Sequence, residues 1–313
     1  MYFVAVANVR SFTRAADQVG VAQPTLSRAL RALEDELGSP LINRGSVVTL
    51  TPAGEAVLPL ARRMLADSDM VRTTVAEMVG LRSGRVRVGA TPSLCIGVLS
   101  DVLRVFHARH PEIAVELAED GSQPLEAALV QGALDVALVI VPPDGVDPTL
   151  HTAPLLRERL SVASPRARRP LTPRGSMTVS ELARHDLVMV RQGYDLREVT
   201  LRAYAVAGVT PRIAVEGGQM DAVLRMVEAG TGVAVVPDLT FIGRPRLRRT
   251  VLNPAIHRTV ALARRADIAP TPAVIAFADT LLEHMSDTSA SLREGTTDVQ
   301  VLHRHRTGRE LLG

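Results

Sequence analysis

The chain contains no lysine: among its 313 residues, all 36 basic residues are arginine. A phosphate-binding P-loop needs a lysine on the phosphates of its nucleotide, and a pyridoxal phosphate enzyme needs a lysine for its Schiff base. Both classes are therefore excluded. The formal net charge is only +3, and acidic residues nearly balance the arginines in the N-terminal quarter of the chain. Bulk charge therefore does not by itself indicate a nucleic-acid partner.

Cysteine and long apolar runs are also scarce. Cys95 is the only cysteine, which excludes an internal disulfide and a cysteine zinc cluster, and a lone thiol is most often a small core residue. No run of about 18 apolar residues occurs, so no membrane span is expected. The start lacks a basic n-region and a small-residue cleavage site, which favours a cytoplasmic protein over an exported one. We expect no metal and no cofactor.

The segment that begins at Ser11 has the pattern of two short helices around a tight turn. Ser11 can cap the first helix, and Gly20 follows its last periodic residue, where a left-handed backbone favours glycine. Pro24 suits the first turn of the second helix, where its missing N–H costs nothing. The periodicity then predicts one buried apolar stripe at helical spacing, formed by Leu26, Leu30, Leu33 and Leu37.

The second helix leaves polar and basic side chains on its outer faces. Glutamine and arginine can make paired hydrogen bonds to adenine and guanine edges, whereas serine and threonine reach bases or phosphates. Such a helix can enter a DNA major groove with its N-terminal end. The same periodicity also fits a helical hairpin in an ordinary core with solvated arginines. The DNA-binding hypothesis assigns contacts to Gln23, Pro24, Thr25, Ser27, Arg28 and Arg31.

A longer, ordered set of residues favours the DNA-binding alternative. Residues 2–83 resemble the N-terminal module of LysR-type transcriptional regulators, a family of bacterial winged-helix proteins with a C-terminal effector domain. The matching pieces are Tyr2-Phe3-Val4-Ala5-Val6-Ala7, Ser11-Phe12-Thr13-Arg14-Ala15-Ala16, Gln23-Pro24, Ser27-Arg28, Leu33-Glu34, Glu36-Leu37-Gly38, Pro40-Leu41 and Leu50-Thr51-Pro52-Ala53-Gly54-Glu55.

The resemblance implies a winged helix-turn-helix DNA-binding domain over residues 1–51. The stretch from Arg44 to Thr49 corresponds to the wing, and Arg44 is its only charged residue. The resemblance assigns Arg44 to DNA, but a wing with so little charge predicts weak contacts with the minor groove. Ala22 stands at the helix cap where the family usually has serine, at a cost of roughly 1 kcal/mol.

A linker or dimerisation helix and a hinge are predicted over residues 52–84. Thr51 and Pro52 suit a helix start, and the helix runs to about Val79. Roughly 28 residues give about 42 Å, which is awkward for one domain to bury. Its narrow apolar seam suits a partner helix, although most seams pack on their own domain. In the family this helix pairs two subunits, so a homodimer or homotetramer is expected through Val57, Leu60, Met64, Val71, Val75 and Met78.

Beyond the hinge, strands alternate with helices, which is typical of parallel sheets covered on both faces. The segments Gly132–Leu138 and Val227–Pro237 resemble the effector domain of the same family. That domain is similar to periplasmic binding proteins, in which two α/β lobes are joined by two crossing strands. The predicted fold class is thus α/β with an N-terminal all-α winged helix-turn-helix. We place lobe I at 85–160 plus 266–289, lobe II at 161–265 and a disordered tail at 290–313.

Ligands of open α/β sheets bind beyond the strand ends, often at helix N-termini. Thr91 and Ser93 follow the first strand, and their hydroxyls would suit a carboxylate, although such residues also serve simply as helix caps. In the family, the positions of Thr91, Ser93 and Gln192 are common effector contacts. The expected small-molecule effector, with Arg191 as an anion partner, would contact Thr91, Ser93, Ile140, Arg191, Gln192 and Gly218.

The leading hypothesis is therefore a sequence-specific regulator that binds double-stranded DNA and is switched by an effector between two lobes. One alternative is a solute-binding protein, which would require an export signal. The other is an α/β enzyme, for which the chain has no nucleophile elbow, catalytic Ser-His-Asp spacing, metal-ligand cluster or dinucleotide-binding glycine motif. No catalytic residue is assigned.

Overall fold

The computed structural model describes residues 1–45, 47–78, 84–142, 144–294, 299–302 and 307–313, without the side chains of 73–78 and 287–294. Two compact units are formed, and each is considered by itself. The predicted hinge lies outside the described residues except for Gly84, as does Ser46 of the wing. Within the described residues, no helix has both the length and the apolar character needed to cross a bilayer.

The N-terminal unit is a winged helix-turn-helix, as predicted. Its two strands pair antiparallel to form the wing. The small core is formed by Phe3, Val6, Ala15, Ala16, Leu26, Leu30, Leu41 and Ile42. The elements are α1 (Tyr2–Val9), α2 (Phe12–Val19), α3 (Gln23–Leu37), β1 (Ile42–Arg44), β2 (Val48–Leu50) and α4 (Pro52–Met78).

Local capping chemistry sets the ends of these helices. The Ser11 side chain accepts a hydrogen bond from the amide of Arg14, and Gly20 ends α2 with φ 69°. Ala22 leaves α3 without a side-chain cap. The hydroxyl of Thr51 accepts from the amide of Gly54 and donates to the carbonyl of Pro40. The caps predicted at Ser11, Gly20 and Thr51 are confirmed.

The apolar stripe of α3 is shorter than predicted. Leu26 and Leu30 are fully buried and Leu33 is half-buried, but Leu37 is 49% exposed. The prediction for Leu37 is wrong because α3 ends at the next residue, Gly38, whose left-handed backbone turns the chain away. The helix therefore extends beyond the surface that packs on α1 and α2.

Among the described residues, the C-terminal unit is built on a mixed sheet of eight strands. The chain order of its elements is β3 (Arg85–Ala90), α5 (Pro92–Leu94), a π-helical turn (Cys95–Leu99), α6 (Ser100–Arg109), β4 (Ala114–Glu119), α7 (Ser122–Val130), β5 (Val136–Val141), β6 (Leu150–Pro165), β7 (Ser176–Met177), α8 (Val179–Leu182), β8 (Asp186–Val190), α9 (Asp195–Val206), β9 (Arg212–Gly218), α10 (Met220–Ala229), β10 (Ala234–Pro237), a 3-10 turn (Asp238–Phe241), β11 (Leu247–Arg265), α11 (Pro272–Glu294), β12 (Val299–Val301) and α12 (Gly308–Leu312).

Parallel and antiparallel pairings are combined in this unit. The main sheet has the order β10-β6-β11-β5-β3-β4. Its β3 pairs parallel with β4 and β5, whereas β6 and β11 run antiparallel to each other along most of their length. The strands β8 and β9 form a second, parallel pair. The parallel pairing expected from the alternation of strands and helices is found in β3, β4 and β5 and in β8 and β9, and β6 and β11 add two long antiparallel strands.

Two hydrophobic cores define the two lobes, and β6 and β11 cross between them. Lobe I packs around Val88, Phe106 and Phe277, and lobe II packs around Leu187, Tyr204 and Leu224. One boundary differs from the prediction, since Val260 and Leu262 belong to the lobe I core although lobe II was expected to extend to residue 265. The reason is that this half of β11 pairs with β5 of lobe I.

The C-terminal residues are ordered where the structure describes them, so the predicted disordered tail is wrong there. Strand β12 pairs antiparallel with β6. Leu311 and Leu312 of α12 are buried in the lobe I core. The guanidinium of Arg264 donates to the carbonyl of Leu312. The amide of Gly308 donates to the Asp279 carboxylate on α11. Apolar burial and these hydrogen bonds together offset the entropy of ordering the segment.

Candidate DNA interface and effector cleft

The exposed face of α3 carries the residues predicted to contact DNA. Leu26 and Leu30 hold the opposite face in the core. Because residues three and four positions apart share one helix face, the outer side chains form a continuous polar surface. Ser27 is half-buried, and the exposed members are Gln23, Pro24, Thr25, Arg28 and Arg31.

Charge is distributed unevenly along α3. Arg28 and Arg31 lie in its first two-thirds, whereas Asp35 and Glu36 lie in the last turn, where the helix dipole disfavours acids. No basic residue lies in that last turn. The acids in the last turn therefore do not stabilise the helix through its dipole. The separation of charge does leave the N-terminal part of α3 with a positive face that suits phosphates.

Glu34 fixes the wing to α3. One carboxylate oxygen of Glu34 accepts hydrogen bonds from the amides of Leu41, at 2.9 Å, and Ile42, at 3.1 Å. Its other oxygen pairs with the guanidinium of Arg44, which also lies over the ring of Phe12 with its central carbon 5.7 Å from the centroid. Arg44 is thus held within the protein, which reduces its capacity to reach DNA.

The predicted seam of α4 is largely exposed up to Val71. Leu60 is 60%, Met64 73% and Val71 63% exposed, whereas Val57 is half-buried. Three large apolar side chains in solvent on one helix face are unusual for a surface without a partner. The side chains of Val75 and Met78 lie outside the described residues.

A small, partly open cavity lies between the two lobes of the C-terminal unit. Its volume is about 20 Å³, room for about one water molecule. Thr91, Ser93 and Ile140, all predicted, contribute to one side. The complete lining is Thr91, Pro92, Ser93, Ile140, Tyr194, Asp195, Leu196, Met220 and Arg258.

Polar groups of lobe I and the crossing strands converge on this cavity. The guanidinium of Arg258 donates to the Ser93 hydroxyl at 2.8 Å and to the Glu158 carboxylate at 2.7 Å. The Thr91 hydroxyl is buried and makes no hydrogen bond. Since a buried hydroxyl without a partner costs about 1–3 kcal/mol, Thr91 is suited to receive a polar group that enters the cavity.

Three predicted effector residues do not line this cavity. Arg191 pairs with Asp120 at 2.6 Å and its guanidinium lies over the ring of Tyr194. Gln192 is exposed in the turn after β8, and Gly218 is half-buried at the end of β9. Arg191, Gln192 and Gly218 do not line this small pocket, and their contacts with an effector stay a prediction.

The sequence analysis did not identify the lobe II wall of the cavity or the buried Arg258. Asp195 and Leu196 begin α9 and Met220 begins α10, so the rule that ligands bind at helix N-termini could have identified all three. Arg258 could not be found in this way, because it lies well inside the long strand β11 and not at a strand end or a helix N-terminus.

Cys95 lies beside the cavity-lining turn but is chemically protected. Burial, and then the nearby Glu119 carboxylate, raise the pKa of the Cys95 thiol to about 12. The thiol therefore stays protonated at neutral pH, which disfavours both nucleophilic and metal-binding roles. Among the residues that the structure describes, no cluster of three or more His, Cys, Asp or Glu side chains could hold a metal ion.

The sequence matches two family models that together span most of the chain. A model described as the LysR substrate binding domain matches residues 80–286. A model described as bacterial regulatory helix-turn-helix protein, lysR family, matches residues 1–55.

Similar proteins and solved structures extend over nearly the whole length. The chain is 30% identical to a hydrogen peroxide-inducible genes activator of Pectobacterium carotovorum subsp. carotovorum, over 91% of this chain and 95% of that protein. It is also 30% identical to the probable HTH-type transcriptional regulator LrrA of Synechococcus elongatus, over 92% and 96%.

Full-length OxyR from Pseudomonas aeruginosa is 27% identical, with a TM-score of 0.69 over 90% of this chain and 92% of that one. CbnR complexed with its target DNA shares the fold, with 24% identity and a TM-score of 0.64 over 90% and 97%. The chain is therefore a member of the LysR-type family of oligomeric transcriptional regulators, with an N-terminal DNA-binding domain and a C-terminal effector-binding domain.

Proposed function

We propose that α3 reads an operator in the major groove. Gln23, Thr25 and Arg28 are suited to base edges, whereas Ser27 and Arg31 are suited to phosphates. Pro24 fixes the first turn and thereby the angle at which these side chains leave the helix. This proposal is supported by the exposure of the polar face of α3, opposite the fully buried Leu26 and Leu30.

We infer that two copies pair through the exposed seam of α4, with Leu60, Met64 and Val71 at its centre and Val57, Val75 and Met78 along it. Pairing would remove these apolar side chains from water and place two copies of α3 on two half-sites of one operator. CbnR has been seen with its target DNA, which supports the same mode of action here. Because the wing arginine Arg44 is bound to Glu34, we expect α3 to supply most of the sequence preference.

We propose further that a small molecule binds between the lobes, with Thr91, Ser93 and Arg258 on one side and Asp195, Leu196 and Met220 on the other. Ile140 and Tyr194 would supply apolar contacts. The unpartnered Thr91 hydroxyl and the buried Arg258 guanidinium support an effector with an acceptor group, such as a carboxylate. A regulator of this kind works on chromosomal DNA, so we infer a cytoplasmic location and no catalytic activity of its own.

Relatives named as hydrogen peroxide-inducible activators raise the question of peroxide sensing. Because Cys95 is the only cysteine, a disulfide within one chain cannot be the signal here. We therefore favour a bound effector over thiol oxidation as the input.

Equilibrium binding to DNA from upstream of its own gene tests the proposal. Fluorescence anisotropy would compare the wild type with Arg28→Ala and Arg31→Ala, using Arg72→Ala as the matched control because Arg72 is exposed on α4. Loss of a base or phosphate contact should weaken binding by about 1–3 kcal/mol for Arg28, with no change for Arg72. Equal affinity of all four proteins for operator and random DNA would contradict it.

A further inference from the structure

The two lobes are held together at the mouth of the cleft by four side chains, which we call the latch: Asp120, Ser122, Arg191 and Asp195. Asp120 on lobe I pairs with Arg191 on lobe II at 2.6 Å. The Ser122 hydroxyl donates to the Asp195 carboxylate at 2.8 Å. The Ser122 amide donates to the same oxygen at 3.3 Å. Each lobe therefore contributes one carboxylate that is bound by the other lobe.

The latch is tied to the cavity wall. The Ser122 hydroxyl also accepts a hydrogen bond from the amide of Ile140, at 2.9 Å, and Ile140 lines the cavity. Asp195 itself lines the cavity from lobe II. A group that enters between the lobes therefore has to displace at least one member of the latch.

Backbone contact beside the latch shows how tightly the lobes meet. A Cβ atom on Gly121 would lie 2.1 Å from the carbonyl oxygen of Gly193 on the opposite lobe. Gly121 does not need glycine for its backbone angles, since its φ is not in the left-handed region. Any larger residue at position 121 would therefore have to push the lobes apart.

The cavity between the lobes is far too small for an organic effector. Its volume of about 20 Å³ compares with roughly 300–1,000 Å³ for typical ligand sites. The pocket proposed above can therefore bind its effector only after the lobes separate.

We propose that the latch keeps the effector site shut in the resting protein, and that effector binding requires the latch to open. This inference rests on the proposed effector function of the cleft. The apparent affinity for an effector is then its intrinsic affinity multiplied by the fraction of protein that is open. Weakening the latch raises that fraction and makes the cleft accessible without any effector.

A thiol placed inside the cavity measures this opening directly. Thr91 is buried and lines the cavity, and cysteine is close to threonine in size. In the full chain, Cys95→Ser combined with Thr91→Cys leaves one thiol, and the probe is its rate of reaction with dithiobis(nitrobenzoate). With the latch intact, we expect the thiol to react at least roughly a hundredfold more slowly than in the same chain unfolded in urea. The reason is that the reagent can reach the thiol only after the lobes separate.

Arg191→Ala should accelerate the reaction by about twofold to fivefold, because its ion pair with Asp120 is partly exposed, and Gly121→Val should accelerate it further. Arg191→Ala removes the ion pair with Asp120, and Gly121→Val wedges the lobes apart. Arg212→Ala is the matched control, since Arg212 pairs with Asp186 within lobe II. Equal rates in the parent, Arg191→Ala and control proteins would overturn the proposal, as would a rapidly reacting thiol in the parent. If Gly121→Val does not fold, Arg191→Ala decides.

The test is independent of DNA. If the thiol measurements contradict the latch, the conclusions from the operator-binding measurements do not change. Conversely, a protein that ignores DNA can still show latch-dependent thiol access, so the two proposals fail separately.

Discussion

Glu158 and Arg258 form an ion pair in which both partners are buried: the Glu158 side chain is 0% exposed and that of Arg258 is 5% exposed. They lie directly opposite each other on the crossing strands β6 and β11. The second oxygen of Glu158 accepts from the amide of Leu239 at 3.1 Å. This pair therefore links the cavity wall to both crossing strands.

Removing one member of this pair should strongly destabilise the C-terminal unit. Glu158→Ala leaves the Arg258 charge buried without its partner, which costs about 3–5 kcal/mol. The control is Glu116→Ala, which breaks an exposed pair with Arg85 and should cost at most about 1 kcal/mol. Urea denaturation followed by circular dichroism measures both, and similar midpoints for the two variants would contradict the account.

Gly54 should tolerate no side chain. A Cβ atom there would lie 2.0 Å from the backbone oxygen of Leu41, which cannot move without disturbing the link between wing and α4. We expect Gly54→Ala to destabilise the N-terminal unit by about 3 kcal/mol. Gly45→Ala is the control, because the nearest atom to its Cβ lies at 3.8 Å. Thermal unfolding that is unchanged in Gly54→Ala would refute the close contact.

Cys95 should resist oxidation. Since burial and Glu119 raise the pKa of the thiol from 9.0 to about 12, its thiolate at pH 8 should be roughly a thousandfold scarcer than that of an ordinary cysteine. Alkylation by iodoacetamide in the folded protein should be slower by a similar factor than in urea. Rapid formation of sulfenic acid on Cys95 with micromolar peroxide would contradict this prediction and would support peroxide sensing through this thiol.

The C-terminal helix should contribute to the stability of lobe I. Leu312 is fully buried, so Leu312→Ala should cost about 2–5 kcal/mol. Leu302 in the same segment is 40% exposed, and Leu302→Ala should cost less than about 1 kcal/mol. Scanning calorimetry distinguishes the two, and an unaltered transition in Leu312→Ala would mean that the segment does not dock.

The features predicted well from the sequence are those set by neighbouring residues. Ser11, Gly20 and Thr51 define helix ends through contacts within a few positions, and Leu26 and Leu30 follow from helical periodicity alone. These are local signals, and the sequence displays them directly.

The features that were missed depend on distant partners. Strand β6 carries Pro154 and charged residues such as Arg157, so its extended conformation follows from pairing with β11 and not from alternation. The pairing of Arg191 with Asp120, which is 71 positions away, could not be predicted from neighbouring residues. The docking of Leu311 and Leu312 likewise needs a lobe I surface that no local pattern reveals.

The most direct test of the central claim is selection of DNA from a random pool by the full-length wild type and by Thr25→Ala with Arg28→Ala. We expect the wild type to enrich a two-fold symmetric sequence with half-sites about 10 base pairs apart, or a multiple of that. The variant should lose this preference while it still unfolds at the wild-type temperature. A wild type that enriches no sequence, or a variant that enriches the same one, would contradict recognition by α3.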